Sequence, residues 1–224
     1  MMLPRPLYFT SAKPLGCKKI NRLLSPAGLT LSAPGYEFGQ GELVDCFDGS
    51  VTRAGALVLK DERRVVRIAP DTGITTQAVD GADWRFPADL PQGEISAWLD
   101  RITPLRALLP LAEVEFGLQT MALLDDELKT CCRLDCLLVK RGRRSWAWMK
   151  SRPMRGYDRN HNALVRALED LSLPADPLQA LKIKGFGYKA KPAVRLDPEA
   201  PAIQSLCTLV TAFMDVARKN EAGI

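Results

Sequence analysis

Hydrophobic and polar positions alternate along two neighbouring segments of the chain, on either side of a turn at Gly142. In the first segment, the residues of one parity are Lys129, Cys131, Arg133 and Asp135, and those of the other are Cys132, Leu134, Cys136 and Leu138. In the second, Arg144, Trp146, Trp148 and Lys150 alternate with Ser145, Ala147 and Met149. Because successive side chains of a strand point to opposite faces, the pattern predicts a β-hairpin with one charged and one apolar face. Cys131 and Cys132 are therefore expected on opposite faces.

Shorter apolar runs and helical periodicities complete the predicted fold. Strands are expected at residues 42–48, 56–60, 64–69, 74–79 and 114–123, with turn residues between them. Helices are expected at residues 17–24, 91–102, 161–171 and 201–219, and a short helix or a loop at residues 174–184. This order predicts an α+β fold, in which an antiparallel sheet closes into a β-barrel or tunnel with flanking helices. His161 is expected to be exposed in the first turn of its helix.

The composition is that of an ordinary globular protein, with 46% hydrophobic and 25% charged residues in 224. No apolar run reaches the roughly 18 to 20 residues of a membrane span, so no membrane partner is expected. The start of the chain lacks the apolar core of a signal peptide. The 6 cysteines form no CxxC pair and there is 1 histidine, which disfavours a zinc site. Reduced thiols and a cytoplasmic location are the prediction.

The net charge of +5 is unevenly distributed. Basic residues dominate residues 1–22, 140–159 and 182–195, whereas acidic residues gather in residues 80–127. Such segregation indicates a polyanionic partner. Solvated strand faces explain the same pattern, and the sequence leaves both interpretations open.

Four segments resemble motifs of CYTH domains, the triphosphate tunnel metalloenzyme superfamily. Residues 123–134 resemble its LLDDExKTxxRL hairpin. Residues 43–59 are similar to its first strand pair, and residues 105–110 also fit. Residues 153–158, Pro-Met-Arg-Gly-Tyr-Asp, are similar to the start of a family helix.

A narrower resemblance is to the degenerate CYTH-like domain found at the N-terminus of bacterial CHAD-domain proteins. Residues 187–191, 196–199 and 220–223 resemble the join that leads into CHAD. This resemblance implies a CYTH-like barrel domain over residues 1–195. Residues 196–224 are then a C-terminal helix that links to a CHAD domain absent from this chain.

CYTH enzymes act on triphosphates inside the barrel, where basic residues clamp phosphates and glutamates hold a divalent metal. The family's Glu-x-Glu-x-Lys strand is not found here, since residues 7–18 contain no glutamate, and its LRxR strand has become residues 57–60, Leu-Val-Leu-Lys. We therefore predict no catalytic residues and no cofactor, with Mg or Mn required only if the chain is active. Asp125, Asp126 and Glu127 are candidate metal ligands, but a tight turn is the simpler explanation for them.

The resemblance implies that part of the phosphate clamp survives. Its predicted members are Lys129, Arg133, Arg67, Arg144 and Lys150. They would bind phosphate if the charged face lines the barrel; if that face is outside, the leucine face forms the core instead. The predicted function is a non-catalytic accessory domain that binds inorganic polyphosphate or another polyanion beside a CHAD domain. The alternatives are an active metal-dependent inorganic triphosphatase, a structural or protein-interaction module that docks a partner through residues 201–219, and, less favoured, RNA binding through residues 140–159.

Overall fold

A single antiparallel sheet forms the body of the protein. The computed structural model describes residues 7–32, 35, 37–69, 73–81, 83–189, 192 and 194–221. The strands are β1 Leu7–Ser11, β2 Thr30–Ser32, β3 Glu37–Cys46, β4 Leu57–Lys60, β5 Arg64–Ala69, β6 Gly73–Ala78, β7 Leu108–Leu124, β8 Thr130–Arg141 and β9 Arg144–Pro153. Their order in the sheet is β1-β9-β8-β7-β3-β4-β5-β6, with β2 paired to β7. The predicted antiparallel sheet and its β8–β9 hairpin are confirmed.

Six α-helices accompany the sheet in the described part of the chain, which confirms the α+β class. They are α1 Cys17–Leu24, α2 Ser50–Arg53, α3 Glu94–Ile102, α4 Asp158–Leu171, α5 Pro177–Leu181 and α6 Ala202–Lys219. The start of α3 is fixed from the sheet, because Gln77 Oε1 accepts hydrogen bonds from the backbone N–H groups of Ile95 (3.0 Å) and Ser96 (3.3 Å). These bonds satisfy two of the N–H groups that a helix leaves unpaired at its first turn.

The sheet is strongly curled, although its ends are not joined by strand pairing in the described residues. Trp148 of β9 and Ile74 of β6 pack in one hydrophobic cluster, yet β9 and β6 lie near opposite ends of the sheet. A Cβ atom built on Gly73 would lie 3.6 Å from Trp148 Cη2. The face that carries Trp148 is therefore concave, and the sheet is curled but, in the described residues, not closed into the expected barrel.

Apolar side chains fill the middle of the concave face. Its buried cluster includes Leu43, Leu59, Val66, Ile68, Phe116, Leu137, Val139, Trp146 and Trp148. Leu181 of α5 packs against the same cluster. The indole Nε1 of Trp146 donates to the carbonyl of Ala175 (3.1 Å), and Arg141 Nη1 donates to the carbonyl of Lys182 (2.7 Å). The segment around α5 therefore covers one end of the concave face.

Helices cover the convex face in two places. Ile20 of α1 and Leu164 of α4 pack with Leu134 of β8. Leu99 of α3 packs with Val58 of β4 in a separate cluster. The central strands are consequently buried on both faces, and all four residues of β4 are buried.

Two expectations from the sequence are wrong. A bulge places two residues of β8 opposite one of β7: Leu123 pairs with Cys132 and Leu124 with Thr130, so that Cys131 is extra. Cys131 and Cys132 consequently join the same buried cluster instead of opposite faces. His161 is 4% exposed, not a surface residue, because α4 presses it against Ser151, whose Oγ lies 2.9 Å from His161 Nε2.

No helix among the described residues is long and apolar enough to cross a membrane. The division of the chain between residues 195 and 196 stays a prediction. Residues 190, 191, 222 and 223 of the proposed join lie outside the described residues, as do residues 1–6 of the basic N-terminal stretch.

Candidate functional site

The structure does not bring the five predicted phosphate-binding residues together. Arg67 lies on the convex face of β5, beneath α3. Its Nη2 donates to Glu94 Oε1 (2.8 Å) and to Thr75 Oγ1 (3.1 Å), and its guanidinium lies 5.1 Å from the ring centroid of Trp98. With a side chain only 9% exposed, Arg67 ties α3 to the sheet.

Lys129 lies in the turn that precedes β8. Its ammonium donates to Glu127 Oε2, and this hydrogen bond raises the pKa of Lys129. Asp125 Oδ1 accepts from the backbone N–H groups of Glu127 (3.1 Å) and Lys129 (2.8 Å), as in an Asx turn. The acidic triplet 125–127 therefore shapes the turn.

Arg144 begins β9 opposite Arg141, at the end of the concave face that α5 covers. Six residues of strand separate it from Lys150, which corresponds to roughly 20 Å. Arg144 cannot share a small ligand with Lys150.

Arg133 and Lys150 do lie together, at the end of the concave face away from α5. The β8–β9 register pairs Arg133 with Arg152 and Asp135 with Lys150, followed by Leu137 with Trp148. Directly opposed residues of an antiparallel pair share a face, so all of these side chains lie on the concave side with Trp148. We call the group Arg133, Asp135, Lys150 and Arg152 the basic mouth.

Three cations face one carboxylate in the basic mouth. Asp135 is fully engaged: Arg152 donates to both of its oxygens at 2.7 Å, and Thr120 Oγ1 donates to Oδ1 at 2.9 Å. No carboxylate oxygen in the described part of the chain lies within 4.0 Å of the Arg133 guanidinium or the Lys150 ammonium. Lys150 Nζ instead lies 5.6 Å from the ring centroid of Tyr8.

The cross-strand pair of Arg133 and Arg152 has a physical consequence. Like charges directly opposite each other destabilise a sheet. Asp135 already offsets part of this repulsion by binding Arg152, and an anion bound beside Arg133 would offset the rest. The mouth is thus suited to an oxyanion such as phosphate.

A cavity of about 300 Å³ opens beside the basic mouth, between β6 and β9. Its floor is apolar, with Ile74, Leu118 and Trp148, and its rim carries Thr120, Asp135 and Lys150. The indole Nε1 of Trp148 is buried and has no hydrogen-bond partner among the described residues. Buried donors normally have a hydrogen-bond partner, and the Trp148 N–H in the wall of this cavity is an exception.

The donor set of the cavity does not fit a divalent cation. Asp135 is the one carboxylate among the residues that line it, and both of its oxygens already accept hydrogen bonds. Magnesium and manganese require several oxygen ligands held together. In the described residues, no group of three or more His, Cys, Asp or Glu side chains could hold a metal ion.

The pair of Ser151 and His161 does not supply a nucleophile for the basic mouth. Both residues are buried between the sheet and α4, Ser151 at 0% and His161 at 4% exposure. Burial lowers the pKa of His161, so its imidazole is neutral near pH 7. The pair lies on the convex side, because Ser151 alternates with Lys150 along β9.

Sequence reasoning missed Arg152, which supplies one of the three cations. Its signal was present, since Arg152 continues the alternation of Arg144, Trp146, Trp148 and Lys150 by one more step. The predicted hairpin was cut short at Lys150, before the strand ends at Pro153.

No protein-family model matches the chain, and no curated protein matches its sequence. The solved structures that are similar to its fold include two of known source. One is a candidate adenylate cyclase of Bacillus halodurans, with a TM-score of 0.46 and 11% identity over 77% of this chain and 95% of that one. The other is the PH1012 protein of Pyrococcus horikoshii, with a TM-score of 0.35 and 10% identity over 79% of this chain and 99% of that one.

Proposed function

We propose that the chain is a non-catalytic, CYTH-like accessory module that binds inorganic polyphosphate or another polyanion at the basic mouth. The observation that carries the proposal is the opposition of Arg133 and Arg152, with Lys150 beside them and a single, already engaged carboxylate. Phosphate oxygens that bridge the two guanidiniums would form charge-assisted hydrogen bonds, which are about twice as strong as neutral ones.

The ligand of this proposal contacts the rim of the curled sheet instead of passing through it. The apolar cluster around Phe116 and Trp146 occupies the middle of the concave face, where a triphosphate tunnel would require converging cations. Only a few consecutive phosphate groups can reach Arg133, Lys150 and Arg152 together. This limited contact suits the binding of a short stretch of phosphate groups.

The setting of the module rests on the resemblance of its C-terminal segments to the join before CHAD domains. A CHAD domain, in the same chain or another, is the proposed partner that shares the polyanion. A cytoplasmic setting accords with the six free cysteines, of which four are buried.

Isothermal titration with tripolyphosphate, against sulfate at matched ionic strength, tests the proposal. Arg133→Ala and Lys150→Ala should each weaken tripolyphosphate binding about fivefold, as expected for loss of one partly exposed charge-assisted contact. Arg144→Ala and Lys129→Ala remove the same charge elsewhere and serve as matched controls, with changes below about twofold. Equal losses in all four variants, or sulfate binding as tight as tripolyphosphate binding, would refute a site at the mouth.

A phosphate-release assay separates this proposal from an inorganic triphosphatase. With tripolyphosphate and either Mg or Mn, we expect no release above the protein-free control, because the cavity offers no set of free carboxylates. Metal-dependent phosphate release that is lost in Lys150→Ala would show that the chain is a triphosphatase and not a binding module.

A further inference from the structure

A cavity of about 340 Å³ lies at the end of the sheet where β3 finishes and β7 begins. Aromatic rings line it: Phe47 follows β3, Phe86 precedes α3, and Tyr188 belongs to the segment that leads to α6. The ring of Phe47 stacks on Phe186 (centroids 5.6 Å apart) and is perpendicular to that of Tyr188 (6.2 Å), which fixes this segment against the sheet. Roughly 40 Å of strand β7 separates the cavity from Thr120 at the basic mouth. We call the cavity the aromatic recess.

Leu105 projects from the rim of the aromatic recess in a conformation that leucine rarely adopts. The backbone N–H of Arg106 donates to the carbonyl of Thr103 (3.2 Å), which closes a β-turn with Pro104 and Leu105 at its centre. Proline holds φ at about −65° and Leu105 has a φ of 59°, so the turn is of type II, in which glycine normally takes the second central position. Leu105 is 98% exposed, so no contact within the described chain offsets this strain.

The apolar surface around the recess has the shape of a protein-docking site. Leu105 together with Phe86 (42% exposed) and Tyr188 (44%) presents roughly 400 Å², a size at which surface patches of monomers are often functional. A side chain that projects fully into solvent cannot enclose a small molecule, whereas it can enter a hole in a protein partner. The recess beside it accepts a side chain of that partner in return.

The charges around the aromatic recess are mainly positive. Those that line it, adjoin a lining residue in the sequence or bond to one are Arg53, Arg85, Arg106 and Lys189, with Asp48 and Asp89. Both carboxylates are engaged. Asp48 accepts from Arg53 and Arg106, and Asp89 accepts from the backbone N–H groups at residues 85 (3.0 Å) and 86 (2.8 Å). Four cations around two engaged carboxylates favour an anionic partner.

Asp48 positions two guanidinium groups and leaves part of each free. Arg53 and Arg106 each use one terminal nitrogen to bind both Asp48 and Ser50 Oγ, the latter at 3.2 and 2.8 Å. Their other N–H groups make no hydrogen bond within the part of the chain that the structure describes. The two side chains are 63% and 52% exposed. Two guanidiniums that are anchored at one corner and open at the other suit the carboxylates of a ligand.

We propose that the aromatic recess docks an acidic segment of a partner protein. Carboxylates of the segment bind the free N–H groups of Arg53 and Arg106. A large apolar side chain next to them enters the recess beside Phe86 and Tyr188, and Leu105 inserts into the partner. A flat anionic bilayer matches the projecting leucine and the cations but leaves the recess unfilled, so the geometry favours a protein.

Selection from a random peptide library, displayed on phage, against the full 224-residue chain tests the ligand class. The enriched peptides should place Asp or Glu beside Phe, Trp or Leu. Binding of the best synthetic peptide, followed by fluorescence anisotropy, should weaken at least about tenfold in Leu105→Gly. The Tm of this variant should be unchanged or higher, because glycine suits its position in a type II turn.

Matched variants separate the contacts from general effects. Leu128→Gly, also at positive φ and 76% exposed but in the β7–β8 turn, should change peptide binding less than about twofold. Arg53→Gln/Arg106→Gln should weaken binding about tenfold through the loss of two charge contacts. Arg22→Gln/Arg166→Gln removes the same charge from exposed positions of α1 and α4 and should change it less than about twofold.

Three results would overturn the proposal: a selection that enriches no peptide, one that enriches basic or uncharged peptides, or equal binding of the best peptide by wild type and Leu105→Gly. Capture of wild type, but not of Leu105→Gly, by vesicles that contain phosphatidylserine would also overturn it, because the surface would then belong to a lipid bilayer. Arg133→Ala should leave peptide binding unchanged, so this test does not depend on the basic mouth.

Discussion

Gly41 offers the most direct test of the filled concave face. A Cβ atom at this position would lie 2.3 Å from the carbonyl oxygen of Lys60 and 2.6 Å from Phe116 Cε1. Ordinary contacts begin near 3.4 Å, so both atoms would have to move by about 1 Å relative to Gly41. The first belongs to the backbone of a paired strand, and Phe116 is 0% exposed. Neither can yield without disturbing the core.

We therefore expect Gly41→Ala to be strongly destabilising. Overpacking costs about 3 kcal/mol at such a site. The alanine recovers between about 0.4 and 1 kcal/mol through the reduced entropy of the unfolded chain. The net loss of about 2 kcal/mol corresponds to a Tm lower by about 4–8 °C in a chain of this length.

Gly39 supplies the matched control, because it lies two residues earlier on the same face of the same strand. The nearest atom to a Cβ at Gly39 is Asp61 Oδ2, at 3.7 Å, which is an ordinary contact. Gly39→Ala should leave the Tm unchanged or raise it slightly. Differential scanning calorimetry of both variants is the assay. If the two alanine variants melt together, Phe116 does not occupy the concave face as described, and the space is open.

Two further predictions concern protonation and thiols. Burial lowers the pKa of His161 below that of the unfolded chain, against a smaller opposing effect of Asp158. The folded protein therefore binds fewer protons, and its stability should be complete above about pH 6.5 and decline from there toward pH 5. His161→Gln should flatten that decline in urea titrations, and an unchanged slope would contradict the assignment, since His161 is the 1 histidine of the chain. Cys207 is exposed, whereas burial raises the pKa of Cys46 to about 12 and of Cys132 to about 11. A disulfide reagent at pH 8 should label one thiol rapidly, and a rapid phase that survives Cys207→Ser would refute this.

Local periodicity predicted the elements well because it depends only on neighbouring residues. The helix at residues 17–24 has the bounds of α1, Cys17–Leu24, and the strand at residues 64–69 has those of β5, Arg64–Ala69. In α1 the buried residues Ile20 and Leu24 lie four positions apart, as a helix requires, whereas β5 is delimited by the turn residues that precede and follow it. Strand β7 was predicted too short, since its pairing with β3 continues through Pro110 to Leu108.

The faces were harder to predict than the strands. A parity count assumes that no residue is inserted, and the bulge at Cys131 breaks it, so that Lys129 falls in the turn and not on the face of Arg133. The relation of Arg67 to Lys150 depends on the register across several strands, which no local pattern encodes. β4 and β5 are buried on both sides and show no alternation from which a concave side could be identified.

The closed end beside α5 restricts how a polymeric ligand could use this protein. With Trp146 and Arg141 hydrogen-bonded to the segment around α5, this end of the curled sheet is covered. A long chain of phosphates cannot be threaded through it, and only a terminus or a short bend could reach the guanidiniums. Occupancy of the basic mouth would depend on the number of polyphosphate ends and bends in the sample and not on its total phosphate. At equal numbers of molecules, short oligomers should therefore compete almost as well as long ones.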